Sequence, residues 1–365
     1  LIPYINKNFP SNGDNTLWGH SLGGLFVINA WLNEPATFKS YIAVDPSLWW
    51  DHGYIRKIAP DKLPSLAVSN TTLFVSGRTG REGETMKITD FDTLLTRHAP
   101  AGLKWKVVQY PDETHSSIRL KSTYDGLKFS FGWNKSKIDF HPMNGIIIKG
   151  EPIQVWSFGD SSHLRYTLDG TAPTPSSPAV GDQVLLDDAA TLTITQFTNR
   201  ARYNKSKTGV FKTGTPLKAS SKGKPDTHYA YYEEDSIKPK QEGIVKDKLT
   251  LPRKSNYSLI VDGWMEAKEA GYYIFVLNAD TGSKLYLDKQ ELILCNGGYY
   301  DDTYTCIVPL KKGFYPYKII FHHQNPDIGL KLTYLAPSTL KLVNAGAVPF
   351  YSSSLLEKLI TIFTL

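Results

Sequence analysis

Residues Trp18 to Gly24 read WGHSLGG, and this stretch decides how the first third of the chain folds. Within it, GHSLG matches the pattern G-x-S-x-G between a short strand over 16–18 and a helical stretch over 24–33. A serine at the tip of a sharp strand-to-helix turn has strained backbone angles, so we expect glycine to be needed two residues before it and two residues after it. The pattern predicts that Ser21 is a nucleophile.

The helix after Ser21 directs its first N–H groups, and the positive end of its dipole, at the reaction centre. The N–H group of Leu22 is therefore predicted to stabilise an oxyanion. A serine hydroxyl also needs an imidazole to remove its proton. His115 is the predicted base, because it follows a strand over 105–110 and precedes a helix over 117–131. The other histidines of this region are interpreted as structural: His20, His52 and His98.

The acid that orients the imidazole should come between the serine and the histidine in chain order. The candidates are, in order of preference, Glu82, Glu84, and then Asp45 or Asp51. The two glutamates follow a strand over 72–76, and the two aspartates follow a strand over 41–44. A Ser–His dyad without an acid stays open as well.

Outward from this stretch, strands alternate with helices, which is typical of a doubly wound parallel sheet and here of part of an α/β-hydrolase domain. From about residue 138 the helical pattern stops, and short strands separated by Gly, Asp and Pro turns predict all-β structure. The predicted segments are the α/β domain at 1–135, an Ig-like sandwich at 138–214, a linker at 215–226, a second β domain at 227–350 and a tail at 351–365.

Composition excludes several classes of protein. The 365 residues carry a net charge of +6 that is spread along the chain, so we predict no nucleic-acid partner. Two cysteines exclude a disulfide-dense scaffold and a four-cysteine zinc site. No apolar run reaches the roughly 18–20 residues that span a bilayer, so no membrane span is predicted. The predicted serine chemistry needs no metal and no cofactor.

Over roughly residues 1–133, the sequence resembles the Putative esterase superfamily of secreted α/β-hydrolases, which includes siderophore esterases and feruloyl- or acetylxylan-type carbohydrate esterases. The likeness rests on WGHSLGG at 18–24, on AVDPSLWWD at 43–51 and on the strand and loop that end at His115. It implies Ser21 as nucleophile, His115 as base and a secreted, periplasmic or cell-surface location, and it implies less about the acid.

The sequence departs from that family at its start. The chain begins at Leu1, without Met or a signal peptide, and only 20 residues precede Ser21. The resemblance implies several earlier strands, one of whose loops supplies a second oxyanion N–H group. We therefore expect this chain to be the carboxyl-terminal part of a longer protein, and we expect weak or no esterase activity from it alone.

Two later stretches resemble accessory modules. LRYTLDGTAPT at 164–174 is similar to the Ig-like module at the carboxyl terminus of chitobiases and hexosaminidases, which implies a spacer. GYYIFVLNADTGSKLYLD at 271–288 resembles the PA14 domain. This resemblance implies a domain that can bind glycans, and whether this one does is left open. Asp280 and Asp288 are interpreted as bracing turns rather than binding sugar or calcium, and the paired loop acids Asp301 and Asp302 are interpreted as solvated. A disulfide between Cys295 and Cys306 is left open.

Together these features predict a serine carboxylic-ester hydrolase that acts on a carbohydrate-linked ester, with β modules that associate with glycans. The first alternative is a glycan-binding protein whose PA14-like region does the work and whose hydrolase region is inactive. The second alternative is a siderophore esterase.

Overall fold

The four strands around the WGHSLGG stretch pair as one parallel sheet. The computed structural model describes residues 1–68, 71–131, 138–158, 161–224, 226–233, 236–245, 249, 251–252, 256–296, 303–344 and 359–364. The chain divides into two compact units, which are Leu1–Lys137 with Phe197–Lys205, and Ile138–Gln196 with Ser206–Leu365. Among the described residues, no helix has both the length and the apolar character that crossing a bilayer requires.

The first unit alternates helices and strands. Its elements are α1 (Ile2–Asn8), β1 (Thr16–His20), α2 (Leu22–Asn33), β2 (Ser40–Val44), α3 (Trp50–Lys62), β3 (Thr72–Arg78), α4 (Gly80–Thr85), α5 (Ile88–His98), β4 (Lys104–Tyr110) and α6 (Ile118–Phe131), with 3₁₀ turns at Leu63–Ser65 and Ala201–Tyr203. The strand order in the sheet is β1-β2-β3-β4, and every pair is parallel. All four strands therefore end at the same edge of the sheet.

Helices cover both faces of this sheet. Tyr41 and Ala43 of β2 pack in a core with α2, α3 and α5. Ile42 and Val44 pack on the opposite face with Ile118 of α6. Successive side chains of a strand point to opposite faces, so a strand buried on both sides is apolar at every position. The amino-terminal α/β region with a parallel sheet is as the sequence predicts.

Two helices of this unit are not predicted from the sequence. One is the short helix α4, which directly precedes α5. The helix α3 was not expected, since Gly53 and Pro60 interrupt its pattern. Its first turn is irregular, because the backbone at Asp51, His52 and Gly53 has positive φ.

The second unit is built from strands and, among its described residues, one helix. Its elements are β5 (Asp139–His141), β6 (Asn144–Ile147), β7 (Ile153–Phe158), β8 (Leu164–Thr167), β9 (Gln183–Leu186), β10 (Ala190–Gln196), β11 (Lys205–Thr213), β12 (His228–Glu233), β13 (Gln241–Ile244), β14 (Tyr257–Ala267), β15 (Gly271–Asn278), β16 (Lys284–Leu287), β17 (Gln290–Leu294), β18 (Thr303–Leu310), β19 (Gly313–His323), β20 (Lys331–Leu335), α7 (Pro337–Asn344) and β21 (Ile360–Thr364).

The segment predicted as a separate Ig-like sandwich shares a sheet with the later strands. The eight-stranded sheet has the order β21-β20-β15-β18-β6-β11-β10-β8, so three neighbouring strands from 227–350 continue directly into four strands from 138–214. The junction is the parallel pair of β6 with β18, where Gly145 lies opposite Ile307. A Cβ at Gly145 would lie 2.3 Å from the carbonyl oxygen of Ile307, so only glycine allows this approach. The predicted boundary therefore does not separate two compact units.

Described residues of the predicted linker at 215–226 pack against later strands. Leu217 and Ser220 form isolated β-bridges with Leu310 and Phe314, and the Tyr315 hydroxyl donates to the carbonyl of Leu217. The two cysteines of the open disulfide question are free and buried, and burial raises the pKa of both thiols. Asp301 and Asp302 lie outside the described residues.

Candidate active site

Ser21 lies in the sharp turn between β1 and α2, as the sequence predicts. Its backbone has φ 60° and ψ −118°, a conformation that a non-glycine residue adopts only when its surroundings hold it there. The Ser21 N–H donates to the Val44 carbonyl at 2.9 Å, and the Ser47 N–H donates to the Ser21 carbonyl at 3.1 Å. These bonds fix the serine at the carboxyl edge of the sheet.

The two glycines that flank Ser21 differ in what they permit. A Cβ at Gly19 would lie 2.2 Å from the carbonyl oxygen of Gly23, so the turn requires glycine at that position. A Cβ at Gly23 would meet nothing within 4 Å. The expectation that glycine is needed on both sides of the serine is therefore wrong for Gly23, because that position faces open space at the start of α2.

Asp45 and His115 form a close pair at the same edge of the sheet. Nδ1 of His115 lies 2.7 Å from Oδ2 of Asp45, whose side chain is fully buried. Asp45 directly follows β2 and its N–H donates to the Ser76 carbonyl of β3 at 2.8 Å. His115 lies in the loop between β4 and α6, with 41% of its side chain exposed. The arrangement resembles the acid–imidazole half of a catalytic triad.

The other acid candidates lie elsewhere. Glu82 contacts Nη1 of Arg78 at 3.2 Å, and its side chain is 90% exposed. Glu84 and Asp51 are exposed too. Among the described residues, none of these three carboxylates has a hydrogen bond to His115. The structure thus places Asp45, and not the first choice Glu82, against the imidazole: the Asp45 side chain is buried at the end of β2, whereas the Glu82 side chain projects into solvent from α4.

The Ser21 hydroxyl contacts a second serine, which lies in the loop after β2. Its Oγ lies 3.3 Å from Oγ of Ser47, a side chain that is almost fully buried. Within the described part of the chain, no hydrogen bond joins Ser21 Oγ to His115. The two residues are nonetheless neighbours, since Ser21 binds the residue before Asp45 and His115 binds Asp45 itself. Catalytic hydrogen bonds are often loose in the absence of substrate.

His20, the residue before the serine, contacts the loop of the base. Its Nε2 donates to the His115 carbonyl at 2.7 Å, and the two imidazole rings are 4.4 Å apart. Burial lowers the pKa of His20, and the hydrogen bond to His115 opposes that effect. A neutral His20 carries the Nε2 proton that this bond needs. His20 is therefore interpreted as a structural residue that also supports the loop of His115.

Leu22 begins α2, where the first N–H groups of a helix have no carbonyl partner in the helix. This is the position predicted for the oxyanion donor. In the described residues, no group of three or more His, Cys, Asp or Glu side chains is arranged to hold a metal. The chemistry available at this edge is a serine hydroxyl, an imidazole and a buried carboxylate.

Sequence reasoning assigned no role to Arg78, which ends β3 and contacts Asp45. Its Nε lies 2.7 Å from Oδ2 of Asp45, and only 7% of the residue is exposed. A signal was present in the sequence, because an arginine that ends a run of buried apolar residues needs a carboxylate partner.

In the second unit, Asp280 is used by the backbone around it. Its Oδ2 accepts N–H groups from Gln324 and Asn325 at 2.8 and 2.6 Å, and its Oδ1 accepts the N–H of Thr281. These bonds brace two loops. The carboxylate therefore serves the fold, as the sequence-based interpretation has it.

Two family models match parts of the chain. The family described as "Putative esterase" matches residues 1–92, which include Ser21, Asp45 and Arg78 and end before His115. The family described as "PA14 domain" matches residues 206–341, so its match begins inside the segment predicted as Ig-like. The chitobiase-type module stays a prediction.

Two similar curated proteins are named as siderophore esterases. The siderophore triacetylfusarinine C esterase of Aspergillus fumigatus is 37% identical over 79 residues, which cover 18% of this chain and 27% of that protein. The ferri-bacillibactin esterase BesA of Bacillus subtilis is 46% identical over 71 residues, which cover 19% of this chain and 24% of that protein. The chain thus spans about a quarter of the length of these curated relatives.

Among solved structures, an IroE-like serine hydrolase from Shewanella oneidensis is 29% identical and covers 35% of this chain and 43% of its own. The TM-score of 0.32 is too low to relate the two folds.

Proposed function

We propose that this chain carries the catalytic residues of a serine carboxylic-ester hydrolase. The observation that carries the proposal is the meeting of a strained Ser21 with a His115–Asp45 pair at one edge of a parallel sheet. Ser21 attacks the acyl carbon, His115 accepts the Ser21 proton and passes it to the leaving alcohol, and Asp45 stabilises the imidazolium. The N–H of Leu22 stabilises the oxyanion, and water then releases the acyl group from Ser21.

The substrate class that the comparisons favour is a siderophore ester. Two curated relatives of the amino-terminal region are named as siderophore esterases. Nothing in the comparisons supports the first expectation, a carbohydrate-linked ester. Glycan binding by the PA14-like region and a secreted location stay predictions.

Covalent labelling tests the nucleophile. A fluorophosphonate probe should label the chain at Ser21, and Ser21→Ala should remove the label. His115→Ala should slow labelling strongly, because the hydroxyl then lacks its base. Mass spectrometry locates the probe, and label on another serine would overturn the proposal.

A pair of acid variants tests the assignment of Asp45. Asp45→Asn should slow labelling by roughly 10⁴-fold if the acid acts as in well-studied triads. Glu82→Gln should leave the rate within about twofold, because the exposed Glu82 side chain contacts, in the described part of the chain, only Arg78. The reverse order of effects would restore the sequence-based choice.

Hydrolysis of a panel of esters tests the substrate class. Ferric triacetylfusarinine C and ferri-bacillibactin should be cleaved faster than acetylated xylan or a feruloylated sugar at equal concentration, followed by chromatography of the products. Faster release from the sugar esters would favour the carbohydrate alternative.

A further inference from the structure

Arg78 and His115 bind the same oxygen of Asp45. Nε of Arg78 and Nδ1 of His115 each lie 2.7 Å from Oδ2 of that carboxylate. The Arg78 side chain is 8% exposed and the Asp45 side chain is fully buried. The other carboxylate oxygen, Oδ1, is buried without a hydrogen-bond partner among the described residues. Two donors on one oxygen therefore determine how Asp45 is oriented.

The charge balance at this carboxylate depends on Arg78. A buried carboxylate with no cation beside it is strongly disfavoured. Guanidinium stays protonated at all accessible pH values, whereas an imidazole carries a positive charge only in its protonated form. Before the proton moves, Arg78 is thus the cation in contact with Asp45.

The second contact of Arg78 does not explain its burial. The Glu82 carboxylate lies 3.2 Å from Nη1, but its side chain is 90% exposed. Exposed ion pairs contribute about 0–1 kcal/mol, because water screens them. The bond of Arg78 with Asp45 is the one that is removed from water.

We propose that Arg78 is a positioning residue for ester hydrolysis, which holds the Asp45 carboxylate against His115 and offsets its charge. The inference rests on the proposed function, because it acts through Asp45 and His115. Among the described residues, the His115 imidazole contacts Asp45 from the loop after β2 and His20 of β1. The nearby cation of α6, Arg119, acts on His20 and lowers its pKa. Arg78 reaches the imidazole only through Asp45.

The sign of the charge effect follows from this geometry. With Arg78 in place, the Asp45–Arg78 pair is close to neutral as seen from His115. Loss of the guanidinium leaves an uncompensated carboxylate, which favours the imidazolium. The pH at which half of His115 is protonated then rises, and the acid limb of the labelling rate moves to higher pH.

Arg78→Met tests the proposal, with Arg56→Met as the matched control. Arg56 also pairs with an aspartate of this unit, Asp90, at 2.8 Å, and among the described residues it has no hydrogen bond to Asp45 or His115. On the alkaline plateau, Arg78→Met should slow fluorophosphonate labelling by about 100-fold, the cost of displacing a catalytic group by about 1 Å. Arg78→Lys should restore part of the loss, since it restores the charge. Arg56→Met should leave the rate and its pH profile unchanged.

A double-mutant cycle separates positioning from folding. If Arg78 acts through Asp45, Arg78→Met should have little further effect in the Asp45→Asn background. Equal losses in both backgrounds would show a role independent of Asp45 and would overturn the proposal. Circular dichroism of each variant confirms that the compared proteins are folded.

NMR titration of histidine that carries a stable isotope tests the coupling of Arg78 to His115. It does so even where the fluorophosphonate probe does not react and no ester is hydrolysed. Arg78→Met should shift the His115 titration to higher pH, and Arg56→Met should not. If the fluorophosphonate probe does not react with wild-type Ser21 but the His115 titration shifts, the proposed function is rejected and the Arg78–Asp45–His115 coupling is kept. A labelled wild type with an unshifted titration would reject the role of Arg78 and keep the function.

Discussion

At the scale of single residues, the turn at Ser21 distinguishes two glycines that look equivalent in the sequence. The space around Gly19 is filled by the Gly23 carbonyl, whereas the space beside Gly23 is open. The G-x-S-x-G pattern expresses a requirement of the backbone only at its first position here.

We expect Gly19→Ala to abolish labelling of Ser21, because its methyl group would lie 2.2 Å from a backbone oxygen that cannot move without distorting the turn. Gly23→Ala should preserve labelling and raise the free energy of unfolding by up to about 1 kcal/mol, the helix propensity difference between the two residues. Labelling rates and urea unfolding of both variants check this. Equal loss in the two variants would contradict it.

His20 provides a prediction on pH. Because burial lowers its pKa, the folded protein resists a proton that the unfolded chain takes up below about pH 6.5. Stability from this residue is present above that value and falls as the pH drops. In His20→Gln the fall in the free energy of unfolding between about pH 7.5 and about pH 5 should be smaller than in the wild type.

Urea unfolding followed by tryptophan fluorescence at both pH values measures this difference, since six of the eight tryptophans lie in the first 137 residues. An identical fall in both proteins would show that His20 does not couple to folding.

At the scale of elements, the short helix α4 is separated from α5 by a residue whose backbone is left-handed. Between α4 and α5, Lys87 has φ 63° and ψ 32°, and its N–H donates to the Glu84 carbonyl at 3.1 Å. This conformation costs a side-chain-bearing residue roughly 1 kcal/mol and costs glycine little.

Lys87→Gly should therefore raise the free energy of unfolding by about 0.5–1 kcal/mol. The same change at Lys57, an exposed residue inside α3, should lower it by about 1 kcal/mol. Urea unfolding of the two variants gives the comparison, and changes of equal sign would refute the account.

At the scale of the whole molecule, the first unit is discontinuous in sequence. The segment Phe197–Lys205, between β10 and β11, belongs to the unit of the parallel sheet. Its Arg200 is 5% exposed and donates to the Lys39 carbonyl and to the Ser40 hydroxyl at the start of β2. Asn199 donates to the Phe129 carbonyl of α6 at 2.6 Å.

Arg200→Met should lower the free energy of unfolding of this unit by about 2–3 kcal/mol, because buried acceptors then lose a charged donor. Arg202→Met removes a 3.3 Å contact of a half-exposed arginine with Asp14 and should cost less than about 1 kcal/mol. Tryptophan fluorescence during urea unfolding measures both. Equal effects would mean that the Arg200 contacts contribute nothing beyond an exposed pair.

Features that depend on residues close together in the chain could be predicted from the sequence. The turn at Ser21, the strands β1 to β4 and the helix α6 follow from local apolar patterns and turn residues, so their places could be predicted closely. His115 in the loop after β4 could be predicted as well, because chain order and strand ends determine its edge of the sheet. Short strand patterns separated by Gly, Asp and Pro turns were likewise enough to predict all-β structure after residue 138.

The carboxylate that binds the imidazole and the strands that share a sheet became known from the three-dimensional structure alone. Glu82 and Asp45 both follow strands that end at one edge, and spacing along the chain does not say which side chain is buried toward His115. The pairing of β6 with β18 joins residues more than 150 positions apart. Such contacts depend on packing between distant segments, which no local pattern encodes, and the ion pair of Arg78 with Asp45 is of the same kind.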